Sequence, residues 1–253
     1  MSEAGRNHPN PAPAAPSDAL IPPEENRRMF EQVARRYDLL NALLSLGLDR
    51  RWRREAVAML TPQQGGRFLD AGCGTGDVSL ELLRQAPGAT VVGIDPAQAM
   101  LVRAAAKAAR AGLGERAVFQ TGDVTALDFA DGSFAGVITA FCFRNVSARG
   151  QALAEMKRVL VPGGRLVILE LTVPAGRVLR CGHRCYSCLA PLLGRVFSHG
   201  SAYRYLVDSI RDFPRAAEIV ALLDQAGFRQ GRHVPLTGGV VTVFAAENVY
   251  ENH

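Results

Sequence analysis

The chain of 253 residues reads as an open α/β fold: a mostly parallel sheet with helices between its strands, closed by an antiparallel hairpin. Three observations predict this. Between residues 67 and 170, short apolar runs alternate with segments of helical periodicity, the pattern of parallel strands joined by right-handed crossovers. The first run passes into a glycine-rich turn, Asp70-Ala71-Gly72-Cys73-Gly74-Thr75-Gly76-Asp77. Near the C-terminus, two extended runs flank Thr237-Gly238-Gly239 and read as a hairpin.

The elements follow in order. Residues 1–23 are rich in Pro, Ala, Ser and Asn and read as a disordered tail. Residues 24–62 read as helices, which the family resemblance given below implies form a lid: Leu39, Leu40, Leu43, Leu44 and Leu46 recur at near-helical spacing, and Trp52, Ala56, Val57 and Leu60 resume it after Gly47. The main domain is expected over 63–250. Its strands are predicted at 67–71, 90–95, 117–121, 134–141 and 165–170, with helices at 78–84, 97–111 and 148–160. Residues 171–210 read as an insertion over the substrate site. A helix at 215–226 is ended by Gly227, and runs at 232–236 and 240–245 form the hairpin.

Each of the first three strands ends in or near an acid. Asp70 precedes the glycine turn, and Asp95 ends Thr90-Val91-Val92-Gly93-Ile94, where such sheets place an acceptor for two ribose hydroxyls. Asp123 follows the third strand and suits an adenine amino group, with Val124 against the ring. Gly72, Gly74 and Gly76 let a ligand approach the backbone closely. A dinucleotide fingerprint would need glycine where Asp77 stands, which disfavours a nicotinamide cofactor. An acid before the glycine turn suits a cationic ligand instead. S-adenosyl-L-methionine, with an ammonium, a sulfonium and no phosphate, fits the convergence of three strand-end acids on the sheet's ligand crevice.

Composition narrows the setting. Hydrophobic residues make up 48% of the chain, enough for one ordinary core. No apolar run has the length of a membrane span, and no secretory signal is evident. The five cysteines are unevenly spaced and read as reduced thiols, so a cytoplasmic location is expected. The net charge of +5 is a mild excess, but its distribution is uneven. Arg50, Arg51, Arg53 and Arg54 surround Trp52. From Leu171 to Val207 there is no acid, while Arg177, Arg180, Arg184, Arg195 and Arg204 alternate with apolar residues. An apolar and cationic surface suits an anionic bilayer. No nucleic-acid module accompanies the arginines, so nucleic acid is not an expected partner. Cys181, Cys185 and Cys188 have the spacing of a cluster-binding motif, but they follow the fifth strand of an open sheet and read as small residues of an apolar helix. No metal is expected.

Four segments carry a family likeness: Tyr37 to Trp52; Phe141-Cys142-Phe143-Arg144-Asn145-Val146; Arg158 to Gly164 with Glu170; and Ala202 to Leu206 continuing through Phe213-Pro214 to Gly239. In these the chain resembles the class I S-adenosylmethionine-dependent methyltransferases, and among them the quinone-biosynthesis C-methyltransferases. Asp49 stands where the family usually has histidine, Val161 where it has lysine, and Ala140 where it often has serine.

The resemblance implies a Rossmann-like, seven-stranded sheet with helices on both faces, and C-methylation of a demethylmenaquinol, with a polyprenyl benzoquinol as a further substrate. It implies cofactor binding by Asp70, Gly72, Gly74, Thr75, Gly76, Asp95, Asp123, Val124 and the backbone of Ala140. Arg144 and Asn145, just past the fourth strand, are the candidate catalytic pair. Tyr37, Asn41 and Tyr203 are candidates for the substrate side. The substrate's prenyl tail implies a peripheral position on the inner face of the cytoplasmic membrane, with a second copy of the chain as a further candidate partner. Two other readings stay open: a methyltransferase for another small hydrophobic metabolite, and a non-catalytic cofactor-binding assembly subunit.

Overall fold

The structure, a computed structural model, describes residues 21–34, 36–174 and 200–249, the side chains of 200–204 excepted. Three helices come first: α1 (Pro23–Val33), α2 (Tyr37–Leu44) and α3 (Asp49–Leu60). Then β1 (Arg67–Ala71), α4 (Asp77–Gln85), β2 (Thr90–Ile94), α5 (Gln98–Arg110), β3 (Ala117–Gln120), β4 (Phe134–Ala140), α6 (Arg149–Val159) and β5 (Leu160–Leu171) alternate along the chain. The C-terminal part holds α7 (Gly200–Arg211), α8 (Ala216–Gln225), β6 (Arg229–Leu236) and β7 (Val241–Glu247).

The sheet has seven strands in the order β3-β2-β1-β4-β5-β7-β6. Strands β1 to β5 run parallel, and β7 is antiparallel to both β5 and β6. The order reverses between β1 and β4, so the crevice beyond their C-terminal ends is the topological switch point.

Alternate residues of each strand feed two cores, as the period of two requires. Leu69, Val92, Leu166, Ile168 and Phe244 face α6 and α8, meeting Leu153, Met156, Ile219 and Leu223. Phe68, Val91, Ile138, Val167 and Val243 face α3 and α4, meeting Trp52, Val57, Leu82 and Leu83. The sheet is therefore covered on both faces, which suits its near-continuous apolar strands. The Pro162-Gly163-Gly164 segment lies within β5 itself, and register with β4 slips there, between Phe134 and Gly136.

α1 and α2 contain no buried residue. Phe30, Val33 and Tyr37 pack on a small cluster formed by Ala34, just past α1, with Ala97 and Met100 at the start of α5. The cysteines at 181, 185 and 188, the arginines at 177, 180, 184 and 195 and the N-terminal tail through residue 20 lie outside the described residues.

Candidate active site

The glycine turn links β1 to the N-terminus of α4 at the switch point. Gly74 has φ +52, and the nearest atom to a Cβ built there is on the Tyr37 ring at 3.9 Å, so its outer side is open toward α2. Gly76 differs. A Cβ there would lie 2.9 Å from that of Ala104, so this glycine serves the packing of the turn on α5. Both glycines take a left-handed φ that a side chain would strain.

A narrow cleft of about 30 Å³ opens at this turn, lined by Tyr37, Arg53, Asp70, Gly72, Cys73, Gly74, Thr75, Asp77, Val78, Ala140 and Phe141. A larger cavity of about 670 Å³ lies elsewhere, between α2, α3, α4 and the end of α5. Its charged walls, Asp38, Asp77 and Lys107 among them, already pair with one another. The narrow cleft is the better candidate, because it holds the unsatisfied group.

That group is Asp70. Its Oδ2 accepts from Ser79 Oγ at 2.6 Å, while Oδ1 is buried without a partner among the described residues. Burial pushes the carboxyl up to about 7, against the lowering effect of the Ser79 bonds. A buried carboxylate oxygen with no donor favours a cation, which would satisfy it and restore its charge. Asp95 has a different arrangement. Its Oδ2 accepts from the Gly74 amide and its Oδ1 from the Ala97 amide, each at 2.9 Å. It thus clamps the glycine turn to β2, and burial raises its pKa despite both bonds. Each carboxylate oxygen keeps a lone pair for a ribose hydroxyl.

Asp123 is exposed and closes a local turn through the Thr125 amide and hydroxyl, at 2.8 and 2.7 Å. Val124 packs in the core cluster on the α6 side. Neither lines the cleft. Asp77 stands in the first turn of α4, where a dinucleotide's phosphates would sit, and is paired with Lys107 Nζ at 2.6 Å. Together the unpaired oxygen of Asp70, the open side of Gly74 and an acid at the helix N-terminus fit S-adenosylmethionine and not a pyrophosphate.

Arg144 lies in a single 3-10 turn, Phe143–Asn145, just past β4. It is buried, and Glu170 of β5 holds it from two directions. Oε1 accepts from Nη1 at 2.7 Å, and Oε2 accepts from the Arg144 amide at 3.0 Å. Nη1 also donates to the Phe141 carbonyl at 2.5 Å, while Nε has no partner among the described residues. Burial alone would lower the guanidinium's pKa, but the charge of Glu170, aided by Tyr37 and Tyr205, outweighs it. Arg144 therefore stays protonated and cannot act as a base.

Asn145 joins a relay across the mouth of the site. Tyr205 of α7 donates to Asn145 Oδ1 at 3.0 Å and accepts from Asn26 Nδ2 of α1 at 2.8 Å. Tyr37 and Asn41 meet side chain to side chain on α2. Burial raises both tyrosine hydroxyls, so neither is a phenolate at neutral pH. Burial likewise pushes the Cys142 thiol up to about 12 and Cys73 well above its ordinary value, which keeps both neutral. The side chain of Tyr203 lies outside the described ones.

The lid is tied to the turn on its other side. Lys107 bridges Asp38 Oδ2 of α2 at 2.7 Å and Asp77, and Thr75 Oγ donates to Asp38 Oδ1 at 2.5 Å. Among the arginines around Trp52, Arg53 turns inward to pair with Asp49, contact Asp77 at 3.6 Å and lie 5.6 Å over the Phe141 ring. Part of that basic cluster is thus internal, and Asp49, in the place of the family's usual histidine, is its buried counter-ion.

The ubiE/COQ5 methyltransferase family matches residues 23–248. This chain belongs to that family. Among its relatives, the ubiquinone/menaquinone biosynthesis C-methyltransferase UbiE of Geobacter sulfurreducens is 42% identical over 226 residues, covering 88% of each chain. The demethylmenaquinone methyltransferase of Thermus thermophilus is 44% identical over 221 residues, 87% of this chain and 99% of that one. A SAM-dependent methyltransferase from Aquifex aeolicus superposes with a TM-score of 0.58 at 20% identity, covering 78% of this chain and 89% of that one, and shows the shared fold.

Within this ubiE/COQ5 family chain, Phe141, Glu170 and Asn26 are not among the site residues expected from sequence, whereas Tyr205 lies in a segment expected to close over the substrate. Glu170 had a visible signal, being a further acid near a strand's C-terminal end. Phe141 had none: it is a non-glycine residue at φ +56, with its carbonyl turned to Arg144 and its ring edge-on to Trp52.

Proposed function

We propose that this family member transfers a methyl group from S-adenosylmethionine to a ring carbon of demethylmenaquinol, with a polyprenyl benzoquinol as a second substrate. Family membership and the names of its relatives support the reaction class, and the observation that carries the mechanism is the buried, permanently charged Arg144. The cofactor, when bound, supplies an electrophilic methyl on a sulfonium. Asp70 would receive its ammonium, Asp95 its ribose, and the backbone at Gly74 and Ala140 would fix its position.

The chain's own contribution is to orient and to hold charge. A quinol ring carbon would become nucleophilic once a neighbouring hydroxyl ionises, giving its proton to an ordered water. As that carbon takes the methyl, the carbon–sulfur bond breaks to leave S-adenosylhomocysteine, and the ring carbon's own hydrogen then leaves as a proton to water, restoring the aromatic ring. Arg144 favours that ionised form by donating to the developing phenolate, with Nε–H its free donor. Glu170 fixes the guanidinium so that it does not reorganise during the step. Tyr37 and Asn41 cover the cleft from α2 and exclude water. The reduced quinol is the substrate in this reading, because an oxidised quinone ring is itself electrophilic.

The same reading puts the protein at the inner face of the cytoplasmic membrane, where a prenylated quinol resides. Among the described residues no helix is long and apolar enough to cross a membrane, so the contact would be peripheral. The experiment is methylation of demethylmenaquinol by purified protein with labelled cofactor, under reductant and under air. Labelled menaquinol under reductant alone is expected. Label on a sterol-like acceptor instead would assign another hydrophobic substrate, and cofactor binding without any transfer would leave the assembly-subunit reading.

A further inference from the structure

We propose that the outer face of α2 and the turn after it form the surface that docks this protein on an anionic bilayer. The inference rests on the peripheral-membrane reading above and names a surface for it among the described residues, apart from the arginine-rich stretch at 171–207.

Large apolar side chains are exposed at nine described positions, and four of them fall between residues 39 and 48. Leu46 is 85% exposed, Leu39 54%, Leu43 47% and Leu48 37%. All the leucines among the nine are in this one stretch, whereas the other five are valines scattered over the chain. Such clustering is what distinguishes a contact surface from ordinary exposed apolar residues.

Helical geometry puts this surface directly above the cleft. At about 100° per residue, Tyr37 and Asn41 share one side of α2 and Leu39 and Leu43 share the other. Tyr37 lines the cleft. One short helix therefore covers the site with one face and presents leucines to the surroundings with its opposite face. A prenylated quinol crossing from bilayer to cleft would pass this helix.

Leu46 adds an independent observation. Its φ is +53, a left-handed conformation unfavourable for leucine, and the strain holds out the most exposed of these side chains. Neither the strain nor the exposure stabilises the free protein.

The charge around the patch selects the occupant. Between Arg36 and Arg54 there are five arginines and two aspartates. Both aspartates are committed inward, Asp38 to Lys107 and Asp49 to Arg53. Arg36 and Arg50, on either side of the leucines, are exposed. Leucines rimmed by free arginines match the headgroup and acyl boundary of an anionic leaflet. A second copy of the chain fits poorly. A two-fold contact would set the arginine rim against itself, and a helix about 12 Å long offers much less than the roughly 800 Å² per partner of a stable interface.

The test is co-sedimentation of the full chain with vesicles of phosphatidylcholine and phosphatidylglycerol, at low and high salt. Wild type is compared with L39Q/L43Q/L46N, the asparagine being chosen because it tolerates a left-handed φ. Wild type is expected to bind, and to bind less in high salt. The variant should partition at least about 100-fold more weakly, with unchanged Tm and S-adenosylmethionine affinity. Equal binding of variant and wild type would overturn this docking surface while leaving peripheral association to another segment. Failure of wild type to bind at low salt would sink the peripheral reading and this surface with it. A variant that binds vesicles normally but changes from dimer to monomer would show that the leucines cover a second copy, which also overturns the proposal.

Discussion

The two halves of the site are held by different forces. The floor, built from β1, β2, β4 and their helices, is fixed by apolar burial: Leu69, Val91, Ile94 and Val137 have almost no exposure. The lid, α1 and α2, buries no residue within its helices. Beyond the small apolar contact of Phe30, Val33 and Tyr37 with Ala97 and Met100, polar contacts hold it, Asn26–Tyr205–Asn145 on one side and Asp38–Lys107–Asp77 on the other. Apolar burial is not weakened by charge screening, whereas partly exposed ion pairs are screened and individually weak. The floor is therefore expected to keep its geometry under conditions that weaken the lid's polar contacts.

Five substitutions probe this contrast. Leu69→Ala in the floor should cost about 2–5 kcal/mol of stability, read as a lowered midpoint in urea, with no dependence on salt. A cost that varied with salt would mean that the floor is not held as described. Arg144→Ala should lower turnover about 10²–10³-fold while sparing cofactor affinity. Near-normal turnover would remove Arg144 from the mechanism. Asp95→Ala should weaken cofactor binding by roughly 1.5–3 kcal/mol, since it deletes both the ribose acceptor and the clamp on Gly74. Calorimetry giving an unchanged affinity in the folded variant would reassign the site.

Asp70 gives a pH effect of known sign. Its carboxyl titrates near 7 in the fold against an ordinary 3.8, so the folded state binds the proton more tightly than the unfolded chain. Its burden on stability is absent below about pH 4, grows as pH rises and is complete above about pH 7. In the proposed binding mode the cofactor's ammonium needs the ionised form, so affinity should fall about tenfold per pH unit below 7. Asp70→Asn should flatten that slope, and a persistent slope in the variant would assign the titration to another group. The smallest effect is expected in the lid. Lys107→Met should cost at most about 1 kcal/mol of stability, yet raise amide exchange in α2, and added salt should mimic it in wild type. Exchange confined to the floor helices would reverse the comparison.

The floor was legible in the sequence because its signals are local. Period-two burial, the Gly72–Gly76 turn, the acids Asp70 and Asp95 and the Thr237-Gly238-Gly239 hairpin each lie within a few residues of chain. The lid's fastenings are not local. Tyr205 and Asn26 are 179 positions apart, and Glu170 lies 26 from Arg144. No spacing rule predicts which exposed-looking arginine turns inward, so Arg53 reads as surface until Asp49 and Phe141 are seen around it. Val124 shows how one position serves two readings. Its position after a strand-end acid suggests a ligand contact, but an apolar side chain there packs equally well in the core, and here it does.

The chain has a single tryptophan, and its placement makes it an optical gauge of this site. Trp52 is buried on α3, donates from Nε1 to Thr237 Oγ at 2.7 Å, and meets the Phe141 ring edge-on with centroids 6.5 Å apart. Phe141 in turn lines the cleft and carries the carbonyl that Arg144 grips. An indole in so dry a setting emits toward the blue, and any shift of Phe141 changes its surroundings directly. Ligand arrival and lid movement can therefore be followed by intrinsic fluorescence in stopped flow, without a label and without a second indole to confuse the signal.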